Sequence, residues 1–177
     1  MKENNDYFQI LNTVNSWIFN CDTKVSIILA TYGVMITALL STDVYAVMIK
    51  IIEQCIVCHT VCNIIYLMIF VAALIIFGCG LYKLICVLLP KIDLTGKSIM
   101  FFGNVSAFKS FEDYIKEANT YSDNDTKTHE DILFQIYAAS NICSQKFKNQ
   151  KKGLVLTLLA SLMIIVWFLI GILSFCV

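Results

Sequence analysis

Cys55-Ile-Val-Cys58-His59 is a literal C-x-x-C-H, the spacing through which two thiols and an imidazole hold a c-type haem. Such a haem also needs a packed pocket and usually a second axial ligand. The only other histidine is His129, 70 residues further on. A disulfide within Cys55, Cys58 and Cys62 is a second reading, suited to an oxidising side of a membrane. A third has no chemistry, since a chain with eight cysteines forms such spacings by chance and a thiol packs as a small apolar group. The third reading is preferred, so no cofactor is expected. Zinc is less favoured still, because the adjacent Cys58 and His59 point to different faces of a helix. No metal site is expected.

A second constellation pairs lysines with aromatic rings. Lys146, Lys148, Lys151 and Lys152 stand on the segment that also carries Phe101, Phe102, Tyr114 and Tyr137. Lysines can hold a phosphate as point charges, and rings can stack on a base. The simpler reading is a basic anchor on anionic lipid. Neither a Ser-His-Asp nor a Cys-His set can be assembled from two separated histidines, and no P-loop or G-x-G-x-x-G occurs. We expect no enzyme.

These residues sit in a chain built for lipid. The AVILMFWYC set makes up 58% of 177 residues and charged residues only 15%, against about 25% in soluble domains. Mean hydropathy is +0.74. Thirteen basic residues, all lysine, balance thirteen acidic ones. Zero net charge without arginine argues against nucleic acid as a partner, because arginine is the usual bidentate reader of phosphate and guanine.

Three uncharged runs are long enough to span a bilayer, which makes the expected fold an all-α integral membrane protein. They are 25–42, 61–82 and 153–177, about 27, 33 and 37 Å of helix against about 30 Å of hydrocarbon. The run 44–57 is interrupted by Lys50 and Glu53 and reads as a helix at the interface, within an outer connection over 43–60. Lysines cluster on the side of the long connection, so that side is cytoplasmic and the N-terminus with it. The expected place is a membrane, crossed several times. Residues 1–24 read as an amphipathic interfacial helix, with Tyr7, Leu11, Val14 and Ile18 on one face and Trp17 and Phe19 at headgroup level. Asp22 and Lys24 stand at the mouth of the first span. Snorkelling and anchoring explain them, and a gating role is the sharper alternative.

Residues 83–152 form the only segment large enough for a ligand-binding unit. Pro90 stops the helix leaving the membrane. Ile99–Phe102 reads as a short β-like or irregular run. Ser110 caps a helix over about 111–120, and 120–128 is a polar loop. Thr128 with Asp131 repeats the capping pattern. From there Ile132, Ile136, Ala139, Cys143 and Phe147 mark one helical face. One long helix is expected from about 129 to 176, or two joined at Gly153. So small a unit completes itself against a neighbour, and a homo-oligomer is expected. Ser26, Ala30, Gly33, Thr37 and Ser41 make a stripe of small residues on the first span. The stripe serves either a second copy or packing within one chain.

An ordered set of segments resembles a known family. Trp17-Ile-Phe-Asn-Cys-Asp22-Thr-Lys24 leads into the first span. Ile99-Met-Phe101-Phe102-Gly103-Asn-Val and Phe111-Glu-Asp-Tyr114-Ile follow the second. Gln135-Ile-Tyr137-Ala-Ala-Ser-Asn-Ile-Cys-Ser-Gln-Lys146-Phe147 precedes the third. The set, covering nearly the whole chain, is similar to the transmembrane effector family of bacterial Pycsar anti-phage systems. Asn104 stands where the family often has a small or acidic residue, and Cys21 where alanine is common. The cysteine-rich outer segment is not part of the family pattern. The resemblance implies an effector that senses a cyclic nucleotide, in Pycsar a cyclic pyrimidine monophosphate such as cUMP or cCMP, and then impairs the inner membrane in an abortive infection. It implies ligand contacts from Phe101, Phe102, Gly103, Tyr114, Gln135, Tyr137 and Lys146. The competing reading is a holin-like or channel-forming protein that needs no nucleotide. Two further alternatives are a small electron carrier using Cys55, Cys58 and His59, and a structural subunit of a larger complex.

Overall fold

The computed structural model describes residues 2–57, 60–89, 98–99, 102–122 and 125–175. Its elements are α1 (Lys2–Leu39), α2 (Thr42–Val57), α3 (Val61–Leu88), α4 (Phe102–Val105), α5 (Phe111–Ser122) and α6 (Asp125–Phe175). Among the described residues there is no strand, so the all-α expectation holds. Three helices are long and apolar enough to cross a membrane, α1, α3 and α6. The chain divides into two compact units. One comprises 1–21 and 90–146, the other 22–89 and 147–177.

In the second unit α3 and α6 pack antiparallel, and glycine sets how closely. A Cβ on Gly80 would meet Thr157 Cγ2 at 2.7 Å and its backbone nitrogen at 2.9 Å. A Cβ on Gly153 would lie 2.8 Å from Leu84 and 3.0 Å from the Gly80 carbonyl oxygen. Small residues let helix backbones approach in lipid, where burial supplies no hydrophobic drive. The Thr157 hydroxyl, buried in this seam, donates to the Gly153 carbonyl at 2.9 Å, so no polar group is orphaned there. Gly153 was a candidate bend. The helix runs through it unbroken, and the glycine is needed for contact instead of flexibility.

Further along the seam Trp167 is 2% exposed. It stacks on Phe70 at 4.1 Å and on Tyr66 at 5.0 Å between ring centroids. Its indole Nε1–H donates to the Tyr66 carbonyl at 3.1 Å, and the Tyr66 hydroxyl donates back to the Trp167 carbonyl. Buried Ile51 and Cys55 of α2 complete this cluster. That is the inner face of the expected interfacial helix, while Lys50 and Glu53 remain exposed.

Two boundaries differ from expectation. Residues 2–24 and 25–39 are parts of one helix, α1, because nothing between Asp22 and Val25 breaks a helix. The change at Lys24 is one of polarity only. Helix α6 begins at Asp125, not near 129, so Thr128 is internal and does not cap. Its hydroxyl donates to the Tyr121 carbonyl at 2.9 Å, fastening the end of α5. Helix α5 starts as expected, with the Ser110 hydroxyl accepting from the Asp113 N–H at 3.2 Å. Helix α3 runs past residue 82 to Leu88. Leu89 then turns extended (φ −72°, ψ 126°), as a residue before proline must. Pro90 itself lies outside the described residues.

Candidate functional site

In the first unit α6 presents a clamp. Asp131 is 6% exposed, and its carboxylate accepts the Ile99 N–H at 3.2 Å. One turn on, the Gln135 amide donates to the Ser98 hydroxyl at 2.7 Å. Residues four apart share a helix face, so Asp131 and Gln135 together hold 98–99 just ahead of the F-F-G run. Buried Ile132, Ala138 and Cys143 supply the apolar part of this side of α6. Of the run expected to be β-like, 99–102, Ile99 is held by Asp131 and Phe102 opens the single helical turn α4, while 100–101 lie outside the described residues.

The N-terminal part of α1 belongs to this unit. The face expected from spacing is the one that packs, with Val14 buried and Tyr7, Leu11 and Ile18 half-buried. Tyr7 meets the His129 ring edge-on at 4.8 Å. Trp17 and Phe19 are exposed.

Beside the clamp is a cleft of about 260 Å³ lined by Ser98, Ile99, Asn104, Ala107, Phe108, Glu117 and Tyr121. Phe108 rests against Tyr114 at 5.6 Å between centroids. Burial raises the Tyr121 phenol pKa, and the nearby carboxylates of Asp131, Glu117 and Glu130 raise it further. The phenol therefore stays protonated and can donate a hydrogen bond.

The structure draws some sequence candidates to this cleft and not others. Gly103 precedes the lining residue Asn104, Tyr114 supports Phe108, and Gln135 fixes Ser98. Tyr137 is 68% exposed and only two residues from Gln135, a spacing that points side chains apart. Lys146 lies eleven residues beyond Gln135, about 16 Å along the helix. It stands instead near Cys143, whose thiol burial pushes up and the ammonium draws back down. Phe101, and the side chain of Phe102, lie outside what the structure describes. Spacing did not point to Ser98, Glu117 or Tyr121. The available signal was polar Asp131 and Gln135 alternating with Ile132 and Ile136 on one helix.

In the other unit Asp22 is half-buried and Lys24 exposed. Ser26, Ala30, Gly33, Thr37 and Ser41 are all exposed, and a Cβ on Gly33 would meet nothing within 4 Å. Ser26 and Thr37 donate to carbonyls one turn back, at 2.9 and 3.0 Å, so the stripe needs no polar partner. Cys55 is buried and Cys62 exposed. Cys58 and His59 lie outside the described residues. Among the described residues no group of three metal ligands occurs.

With this geometry in hand, comparisons identify relatives. The family model for the Pycsar effector protein domain matches residues 6–174. A curated relative, the Pycsar effector protein GmPycTM of Gulbenkiania mobilis, is 26% identical over 163 residues, covering 82% of this chain and 81% of that protein. No solved structure matches the chain.

Proposed function

The chain belongs to the Pycsar effector family, and on that premise we propose that it is an anti-phage membrane effector switched on by a cyclic nucleotide. The ligand binds at the 98–121 cleft on the cytoplasmic side of the bacterial inner membrane. Binding then alters how the apolar helices pack, and membrane integrity fails. The protein acts by binding, not by catalysis. The observation that carries this reading is the continuity of α6, one helix of 51 residues. Near one end its Asp131 and Gln135 hold the cleft wall, and near the other its Thr157 and Trp167 pack the membrane seam. A ligand shifts such a system only through unequal affinity for two packings. A side chain on the shared helix that touches the cleft wall is suited to supply that inequality.

Replacing Gln135 by alanine tests the reading. The hydroxyl of Ser98 loses its amide donor, and the wall of the cleft loosens. Growth arrest by the effector in the presence of its cyclase is expected to disappear, with the protein still recovered from the membrane fraction. Undiminished toxicity would contradict the assignment of the cleft.

Self-association is part of the proposal. Glycines 80, 153 and 171 are filled by neighbours within the protomer, whereas Gly33 and its small neighbours on α1 face outward. An open small-residue stripe in lipid suits the helix of a second copy. Gly33→Leu is expected to leave the protomer folded and to weaken self-association about tenfold or more, near 1.4 kcal/mol, by crosslinking in bilayers. Unchanged crosslinking would move the interface elsewhere.

A further inference from the structure

The charge of the 98–121 cleft bears on which end of a nucleotide it can take. Glu117 stands on its wall, and the fields of Asp131 and Glu130 reach Tyr121 on the same wall. Among the described residues that line it there is no lysine, and the one ammonium placed against its wall, Lys127 at 5.8 Å from the Tyr121 ring centroid, faces three carboxylates. A cyclic phosphodiester carries a negative charge at neutral pH and is repelled by such a wall, while hydrogen-bond donors are attracted. The volume agrees. At about 260 Å³ the cleft falls just under the roughly 300 Å³ at which sites for whole small molecules begin, so it holds part of a nucleotide. Phe108 offers a ring for stacking, and Asn104 and Ser98 offer polar edges.

We infer that the cleft takes the base of the cyclic nucleotide, with the phosphate outside, and that Glu117 selects a base bearing an exocyclic amine, cytosine over uracil. The inference rests on the sensing function proposed above. A carboxylate accepts from the cytosine 4-amino group, the pairing by which acidic side chains read cytosine in nucleic acids. Uracil presents a carbonyl oxygen at that position. Its one ring N–H is flanked by two carbonyls, so a carboxylate meets repulsion on either side. Discrimination by misplacing an acceptor against an acceptor is a common way to reject a near-isostere.

The test is equilibrium binding of 3′,5′-cyclic CMP, UMP, AMP and GMP to the full-length protein in lipid nanodiscs, for the wild type and Glu117→Gln. Glu117 is exposed on α5, and a circular dichroism spectrum checks that the variant folds. The wild type is expected to bind cyclic CMP at least about fivefold tighter than cyclic UMP, the low end for one well-placed base contact. In Glu117→Gln, whose amide both donates and accepts, the two affinities converge to within about twofold. Equal or tighter binding of cyclic UMP than of cyclic CMP by the wild type overturns the inference and leaves the sensing function standing. A cytosine preference that survives in Glu117→Gln overturns the role of Glu117. Binding of none of the four overturns the sensing function and the inference with it.

Discussion

Trp167→Ala is expected to lower the stability of the membrane unit by about 3 kcal/mol, the low end of what a buried tryptophan costs in a soluble core. The low end applies because surface freed in a bilayer is covered by acyl chains, so the transfer term is small. What is lost is packing. Trp167 is stacked between Phe70 and Tyr66 and is 2% exposed. Its removal opens a void that α2, α3 and α6 all border. The indole N–H bond to the Tyr66 carbonyl goes as well, worth about 0.6 kcal/mol in a membrane, while the Tyr66 hydroxyl keeps the backbone carbonyl of residue 167 as its acceptor. Trp167→Phe keeps a ring in the stack and removes the indole donor, and is expected to cost about 1 kcal/mol. Unfolding in mixed micelles measures both. Equal losses for the two variants would mean that the hydrogen bond, not the stack, holds the helices.

The second large effect is expected at Asp131. Alanine there removes the acceptor of the Ile99 N–H, 32 residues away in sequence, and leaves that donor unsatisfied in a part-buried site. The cost is about 1–3 kcal/mol. It falls on the 98–99 segment instead of the whole chain. Amide exchange at Ile99 is expected to quicken by about 5- to 150-fold, which is that free energy as a ratio. The nucleotide response is expected to vanish with it, since Ser98 and Ile99 line the cleft. Asp131→Asn keeps an oxygen in place to accept the bond and is expected to restore most of the protection. Slow exchange in Asp131→Ala would contradict the clamp.

Much of this molecule was legible in the sequence. Length and lack of charge located the three apolar helices, and the shortness of 44–57 separated α2 from them. Ser110 announced α5. Tyr7, Leu11, Val14 and Ile18 announced the packed face of α1 by their spacing alone. The misplaced boundaries share a physical cause. At Lys24 a change of polarity marked off an interfacial helix from the first span, although lysine, aspartate and valine all continue a helix. At 125–128 a polar run was read as a loop, although acidic residues favour a helix N-terminus. The site was only half legible. Gln135 stood out, but the partner of Asp131 is a backbone N–H distant in sequence, and no spacing points to that. The same holds for Gly80 and Gly171. Their need for a hydrogen in place of a side chain arises from Thr157 and Ile51, which only the packed helices bring close.

The central claim is that a cyclic nucleotide, bound at the 98–121 cleft, acts on the apolar helices. Dye release from liposomes carrying the purified protein tests it directly, with cyclic UMP, CMP, AMP and GMP added singly. The account predicts tight vesicles without nucleotide, release with one pyrimidine nucleotide, and no release from the Gln135→Ala protein under the same conditions. Leakage that begins without any nucleotide and is unchanged by all four would contradict it, and would identify a holin-like protein whose control lies outside the chain.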